Sequence, residues 1–295
     1  MRRKQIASET VQILKQGFYH TSEGMTVNLM AQLNSSIKQT QCYTPEMLGK
    51  VREDVLSGTK PYSQTIFEVV NETSLVGAKR LVEVEGYQRV GVLNFASAKN
   101  PGGGFLNGAH AQEESLARSS GLYHSLLECP LYYDYHRSQK TCLYSDHMIH
   151  SPRCPIFRED NGTLLDEPYS VDFITSPAPN ASAIYHKQPH NISLIPQVLQ
   201  ERSSKILSLA ASSGCDALVL GAWGSGVFRN DPERVAKTFY EHLYPQGAFW
   251  GYFQKIVFSV LDTSSQQKTF KASVSYTHLR AHETPEHLVC RLLLE

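Results

Sequence analysis

Two neighbouring carboxylates and a run of glycines are the residues best placed to do chemistry. Gly102-Gly103-Gly104 is followed, seven residues on, by Gln112-Glu113-Glu114. Glycine has no Cβ, so its backbone reaches φ > 0 and approaches another group closely. Successive free N–H groups in such a turn form an anion-binding concavity. Adjacent side chains on a helix point about 100° apart, so Glu113 and Glu114 cannot share one job. A carboxyl group enclosed beside another carboxylate and a bound anion holds its proton more tightly. That suits a general acid near neutral pH. A plainer account exists, because acids in the first turn of a helix are favoured by its dipole. It explains one Glu, but not why the pair follows three glycines.

The elements that must position these groups follow from the pattern on either side. Val90, Val92, Leu93 and Phe95 form a short apolar run, as a buried strand does, and Asn100-Pro101 breaks it. Leu116, Ala117 and Leu122 lie on a helical spacing behind the acids. Strand and helix patterns then alternate: strands at 65–71, 171–175, 217–220 and 255–261, and helices at 73–84, 195–213 and 231–243, the last opened by Asp231-Pro232. Residues 129–170 are rich in tyrosine and show no clear period, so a loop-rich region is expected there. Ahead of them, a helix over 8–18 capped by Ser8, a short strand near 25–29 and a helix from Thr44-Pro45 to Gly58 are expected. The alternation predicts an α/β sandwich with a mixed, largely parallel sheet buried on both faces. Residues 1–60 read as a helical accessory segment packed on a core at 61–273.

In such folds ligands sit at the carboxyl ends of strands. Besides 100–114, two loops qualify. Ser176-Pro177-Ala178-Pro179-Asn180 is a rigid turn offering an amide. Gly221 to Phe228 lies between a strand and a helix, and its Gly224-Ser225-Gly226 frees backbone N–H groups that suit a diphosphate.

The stretch NFASAKNPGGGFLNGAHAQEESLARSSGLY resembles the glycine-run and QEE signature of poly(ADP-ribose) glycohydrolases of the short bacterial and fungal type. The resemblance spans most of residues 1–262. It implies a three-layer α/β/α macrodomain-like fold that holds ADP-ribose in a cleft, and hydrolysis of ribose–ribose bonds in poly(ADP-ribose), from chain ends, with no cofactor. By the same resemblance Glu114 is the general acid and Glu113 holds ribose hydroxyls. Asn100, Gly102, Gly103, Gly104 and Gln112 are expected to line the site, although Gln112 also reads as structural. Gly224, Ser225, Gly226 and Val227 are expected in the second phosphate loop, with Phe228 near the ribose. Ser225 departs mildly from the cysteine common there. Two rival functions remain at this level: an ADP-ribose-binding macrodomain without catalysis, and hydrolysis of another ADP-ribosyl linkage.

Composition narrows the class. The 295 residues are 41% hydrophobic and 19% charged, with formal net charge 0. Nothing marks a general nucleic-acid or membrane binder, and no apolar run reaches membrane-spanning length. Six cysteines lack CxxC pairs or metal-ligand spacing, so no metal and free thiols in a cytoplasmic monomer are expected. The ending stands apart. VSYTHLRAHET (274–284) resembles a translated transposon-type sequencing adapter, and LVCRLLL (288–294) fits its far end. Residues 274–295 are therefore expected to be non-native and loosely appended.

Overall fold

A computed structural model describes residues 3–278. In chain order the elements are α1 (Arg3–Gln16), β1 (Phe18–His20), β2 (Thr26–Asn28), α2 (Met30–Gln39), β3 (Gln41–Tyr43), α3 (Pro45–Ser57), β4 (Ile66–Val70), α4 (Ser74–Lys79), β5 (Val90–Phe95) and α5 (Gln112–Ser119). They continue with α6 (Leu122–Leu127), α7 (Pro130–Ser138), β6 (Met148–Arg158), β7 (Leu164–Ser176), α8 (Ala181–Lys187), α9 (Ile195–Ser212), β8 (Ala217–Leu220), α10 (Pro232–Leu243), β9 (Lys255–Ser259) and α11 (Lys268–His278).

Seven strands form one mixed sheet in the order β3-β6-β7-β5-β8-β9-β4. β3, β6 and β7 pair antiparallel, and the remaining neighbours pair parallel. Successive side chains on a strand face opposite ways. Leu93, Leu218, Leu220, Ile256 and Phe258 therefore pack on one face with Leu199, Ile206 and Phe239 from α9 and α10. Val90, Val92, Val219 and Val257 pack on the other with Leu75, Leu126 and Tyr132 from α4, α6 and α7. Both faces are covered, as the continuous apolar strands required.

Several helix ends follow the expected chemistry. Thr44 accepts from Met47 N at 3.3 Å ahead of Pro45, and Asp231 accepts from Glu233 N at 3.2 Å ahead of Pro232. Thr73 caps α4 through Val76 N at 3.2 Å, and a π-helical turn over Arg80–Val84 completes the segment expected to be one helix.

Four regions differ from expectation. α1 starts at Arg3, leaving Ser8 exposed inside the helix; its buried stripe of Ile6, Ala7, Thr10, Ile13 and Leu14 begins before Ser8, and tertiary burial outweighs the cap signal. The accessory segment is not purely helical, because β3 joins the main sheet against β6. The tyrosine-rich stretch holds α7 and the long antiparallel pair β6–β7. Pro155 and the register shift between Ser151 and Cys154 break the alternation that would have revealed the pair. At the far end α11 runs through His278, with Ser273 buried and Val274 half-buried, so 274–278 are helical and not a loose appendage. Asp262 accepts from Thr269 N and Phe270 N at the start of this helix, which then propagates past Ser273. The rest of the expected foreign ending lies outside the described residues.

The accessory segment braces the site. Ala7 of α1 packs with Phe105 and Ala117, and Thr10 Oγ1 donates to Arg118 O at 2.6 Å. On the opposite side Arg202, 1% exposed, ties the 143–146 and 176–180 loops together. It donates to Asp146 Oδ1 (2.8 Å), Leu143 O (3.1 Å) and Pro177 O (2.9 Å), while Lys205 completes the pairing of Asp146. Removing one partner of a buried pair strands the other charge. Asp146→Ala is expected to lower unfolding free energy by about 3–5 kcal/mol in urea titrations, whereas a change below about 1 kcal/mol would show that Arg202 is not held by this carboxylate.

Candidate active site

The three loops singled out by sequence leave the carboxyl ends of three adjacent strands, β7, β5 and β8. Ala96 N donates to Ser176 O at 3.3 Å, and Trp223 Nε1 donates to the same carbonyl at 3.1 Å, so the loops are joined where they begin. Asn230 Nδ2 donates to Pro179 O (2.8 Å) and Gly224 O (3.1 Å), joining two of them again further out.

The glycine turn does not present an empty anion nest. Two of its N–H groups are taken inside the protein, one of them by a carboxylate. Gly104 N donates to Glu114 Oε1 at 2.9 Å, and Gly103 N closes a turn on Asn100 O at 3.0 Å. The turn thus holds Glu114 through Gly104. Gly103 has φ +61°, and a Cβ there would lie 2.3 Å from Glu114 Oε1 and 3.1 Å from Glu113 Oε2. Only glycine admits both carboxyl groups at this distance. Asn100 stands exposed at the start of the turn.

Glu113 is 3% exposed. Ser97 N donates to its Oε2 at 2.6 Å, and Asn94 Nδ2 reaches its Oε1 at 3.4 Å. Burial nevertheless pushes its carboxyl up from 4.5 to about 8, because loss of water outweighs those donors and the Glu114 charge adds to the effect. Glu113 is therefore a neutral acid at neutral pH. Glu114 is only half-buried. Its Oε1 is anchored by Gly104, and its Oε2 has no hydrogen-bond partner among the described residues.

Gln112 is committed to the scaffold. Its Nε2 donates to Leu93 O (2.7 Å) and Ser74 Oγ (3.1 Å), and its Oε1 accepts from Phe95 N (2.9 Å). The β5–β8 pairing ends at Val92 with Val219, and Gln112 occupies the ladder positions beyond it. This fixes α5, and with it both acids, to the end of β5. Both amide atoms of Gln112 are thus engaged within the protein.

In the second loop Gly224 has φ +73°, and a Cβ would lie 2.4 Å from that of Ala178. The N–H groups of Gly226, Val227 and Phe228 donate to no protein acceptor among the described residues, and Ser225 Oγ is buried without a partner. This loop, unlike the first, is an open anion cradle. The Val227 side chain is 79% exposed, so its backbone is the part available to a ligand. Phe228 is half-buried, with its ring 5.9 Å from Tyr144. Asn180 does not offer its amide oxygen to the cleft, because that atom caps α8 through Ala183 N at 3.0 Å.

Sequence reading did not select Ser97, Asn230 or Tyr144, and took Ser176 only as part of a rigid turn. Ser97 reaches Glu113 through its backbone, which no side-chain pattern reveals. Asn230 Oδ1 and Ser176 Oγ are buried and unpartnered beside the open loop. Tyr144 holds φ 57°, rare for a residue with a side chain, which marked sites often display.

A mixed sheet between helix layers, with an acid pair and an open N–H cradle at three strand ends, defines the macrodomain-like class. The model of the microbial-type PARG (poly(ADP-ribose) glycohydrolase) catalytic domain matches residues 7–159. The structure of poly(ADP-ribose) glycohydrolase from Thermomonospora curvata is 46% identical, with TM-score 0.89, over 93% of this chain and 98% of that one. The same enzyme bound to the inhibitor ADP-HPD matches with TM-score 0.86 and 46% identity over 92% of this chain and 98% of that one. The Deinococcus radiodurans enzyme in complex with ADP-ribose is 43% identical, with TM-score 0.79, over 84% and 97%. No curated protein sequence matches. This chain belongs to the microbial-type poly(ADP-ribose) glycohydrolase family.

Two outcomes follow from the geometry. A carboxyl whose folded pKa is raised adds stability that is full below its unfolded value and is lost as pH climbs through the folded one. Glu113 places that window between about 4.5 and about 8. Glu113→Gln is expected to flatten the loss, by up to about 1.4 kcal/mol per pH unit across the window, in unfolding titrations repeated along that range. Identical slopes for the two proteins would place Glu113 in contact with water. Gly103→Ala is expected to displace both acids and lower turnover by at least about 10-fold, while ADP-ribose affinity, measured by calorimetry, falls less.

Proposed function

We propose that this protein hydrolyses the ribose–ribose O-glycosidic bonds of poly(ADP-ribose), working from chain ends and releasing ADP-ribose. The observation that carries this reading is the pair of acids held at different depths by one glycine turn. Cleaving a glycosidic bond requires a proton for the leaving oxygen and stabilisation of an oxocarbenium-like sugar. Glu114 supports the first role, because it is anchored by one oxygen and free at the other. Once the bond breaks, its carboxylate activates water for the second half of the reaction.

Glu113 supports a different task. As a neutral acid fixed by Ser97 and Asn94 it can exchange hydrogen bonds with ribose hydroxyls without adding a second negative charge to an anionic ligand. The N–H groups of 226–228 supply the diphosphate cradle, and Phe228 with Tyr144 supplies an apolar wall. With formal net charge 0, a polyanion is held by these local dipoles, not by a basic field. No cofactor enters this scheme.

A second assignment has one observation in its favour. The acid already protonated at neutral pH is Glu113, which would make it the proton donor. Against it stands Glu114, the half-buried acid of the pair, whose Oε2 is the one of the four carboxyl oxygens without a partner among the described residues.

Free thiols fit action in the cytoplasm, since none of the described cysteines is disulfide-bonded. No helix among the described residues is long and apolar enough to cross a membrane. We take the acting form to be a monomer.

Labelled polymer separates these readings. Glu114→Gln is expected to lower turnover by at least about 100-fold while ADP-ribose still binds. Free ADP-ribose as the first product supports action at chain ends, and early oligomers would refute that mode. Full activity in Glu114→Gln together with loss in Glu113→Gln would transfer the acid role to Glu113. Binding without any product from the wild type would leave a reader of ADP-ribose in place of an enzyme.

A further inference from the structure

Away from the acids, a chain of polar side chains holds the loop that carries Tyr144. His136 lies on α7 and is 0% exposed. Its Nδ1 stands 2.8 Å from Tyr132 O, and its Nε2 stands 3.2 Å from Ser145 N and 2.8 Å from Ser145 Oγ. Ser145 Oγ in turn lies 2.8 Å from His147 Nδ1 and 3.3 Å from His147 N.

The donors and acceptors give this chain one direction. A carbonyl oxygen only accepts, so His136 Nδ1 carries a proton and donates to Tyr132 O. A backbone N–H only donates, so His136 Nε2 offers its lone pair to Ser145 N. The Ser145 hydroxyl then donates to Nε2 as well, and accepts from His147 Nδ1 and His147 N. The reverse direction would set a proton on Nε2 against the Ser145 N–H. His136 is thereby a neutral imidazole, and burial, which pushes its pKa down to about 4, keeps it an acceptor at neutral pH.

The residue before Ser145 needs such a grip. Tyr144 has φ 57°, a strained conformation that persists only where the surroundings over-determine it. From one side Arg202 donates to Leu143 O (3.1 Å), Tyr144 O (3.4 Å) and Asp146 Oδ1 (2.8 Å). From the other, His136 accepts from both the N–H and the hydroxyl of Ser145. The Tyr144 ring lies 5.8 Å from the His136 ring, edge-on at 84°, and 5.9 Å from the Phe228 ring. No hydrogen bond joins this chain to Glu113 or Glu114 among the described residues.

We infer that His136 is a positioning residue for ligand binding: by gripping Ser145 it fixes Tyr144 against Phe228, and so sets the apolar wall that receives the ribose. This rests on the reading that the cleft takes ADP-ribose. The contribution is to affinity and not to proton transfer, since the chain ends at Tyr144 and the acids are held separately by α5 and the first glycine turn.

The test uses the full chain, with ADP-ribose affinity from calorimetry and kcat and KM on labelled polymer. His136→Phe, which keeps a ring but removes the acceptor, is expected to raise both Kd and KM by at least about 10-fold, with kcat within about 3-fold of wild type. His136→Gln places an amide oxygen where Nε2 was and is expected to bring Kd back to within about 3-fold of wild type. Ser145→Ala removes only the hydroxyl link and keeps a measurable variant if His136→Phe does not fold; it is expected to raise Kd by at least about 3-fold. In the wild type, nitrogen-15 NMR of the histidines is expected to show His136 protonated at Nδ1 and bare at Nε2 near pH 7. Unchanged Kd in Ser145→Ala or in folded His136→Phe, a loss confined to kcat, no recovery in His136→Gln, or a proton on Nε2 would overturn the inference. A wild type that binds ADP-ribose but releases no product would sink the glycohydrolase reading alone, because the affinities and the tautomer are measured without turnover.

Discussion

The arrangement on which everything else depends is a backbone turn binding the side chains that follow it. Gly104 donates its N–H to Glu114, and Gly103 leaves the space that both carboxyl groups fill. A carboxylate removed from water is costly unless donors replace the lost hydration. Gly104 supplies a donor to Glu114, and Ser97 with Asn94 supplies donors to Glu113, but burial is not equal. Glu114 keeps contact with the cleft, and Glu113 is enclosed so fully that its proton is retained. One short loop therefore sets two acids to two chemical states. This explains why the pair follows a glycine run at all, which helix-dipole arguments leave open.

The surrounding fold serves that turn from three sides. From below, Gln112 extends the β5 ladder where β8 has stopped, so α5 cannot slide along the sheet. From outside, α1 covers Phe105 and Ala117. Across the cleft, Trp223 and Asn230 bind the second glycine loop to the 176–180 turn. The two glycine loops look alike as strings but have opposite destinations. One turns N–H groups inward, to Glu114 and to its own turn, and the other leaves them open. That division leaves the cleft with acids at one end and N–H groups without protein acceptors among the described residues at the other. A ligand with a diphosphate joined to a sugar requires such a polarity.

Chain geometry also explains how distant segments share one site. β7, β5 and β8 are neighbours and parallel, so their carboxyl ends meet although the sequence separates them widely. Phe95 lies opposite Ser176, and Val92 lies opposite Val219. The buried Arg202 secures the outer loops from the far side of the 176–180 turn, where its charge is matched by Asp146.

The sequence alone determined the strand at 90–95, the helices opened by Thr44-Pro45 and Asp231-Pro232, and the α/β class, because caps and apolar runs are local signals that act over a few residues. It also singled out the acids and both glycine loops, since residue types that allow tight turns or proton transfer are few. Tertiary structure alone decided the rest. Ser8 lost its capping role to an earlier buried stripe, β6 and β7 emerged from a stretch without a period, and β3 left the accessory segment to join the sheet. The inward turn of the first glycine N–H groups, the enclosure of Glu113 and the ladder role of Gln112 also needed three dimensions. Each depends on water being excluded by parts of the chain brought together only on folding, and no local pattern encodes where water will be absent.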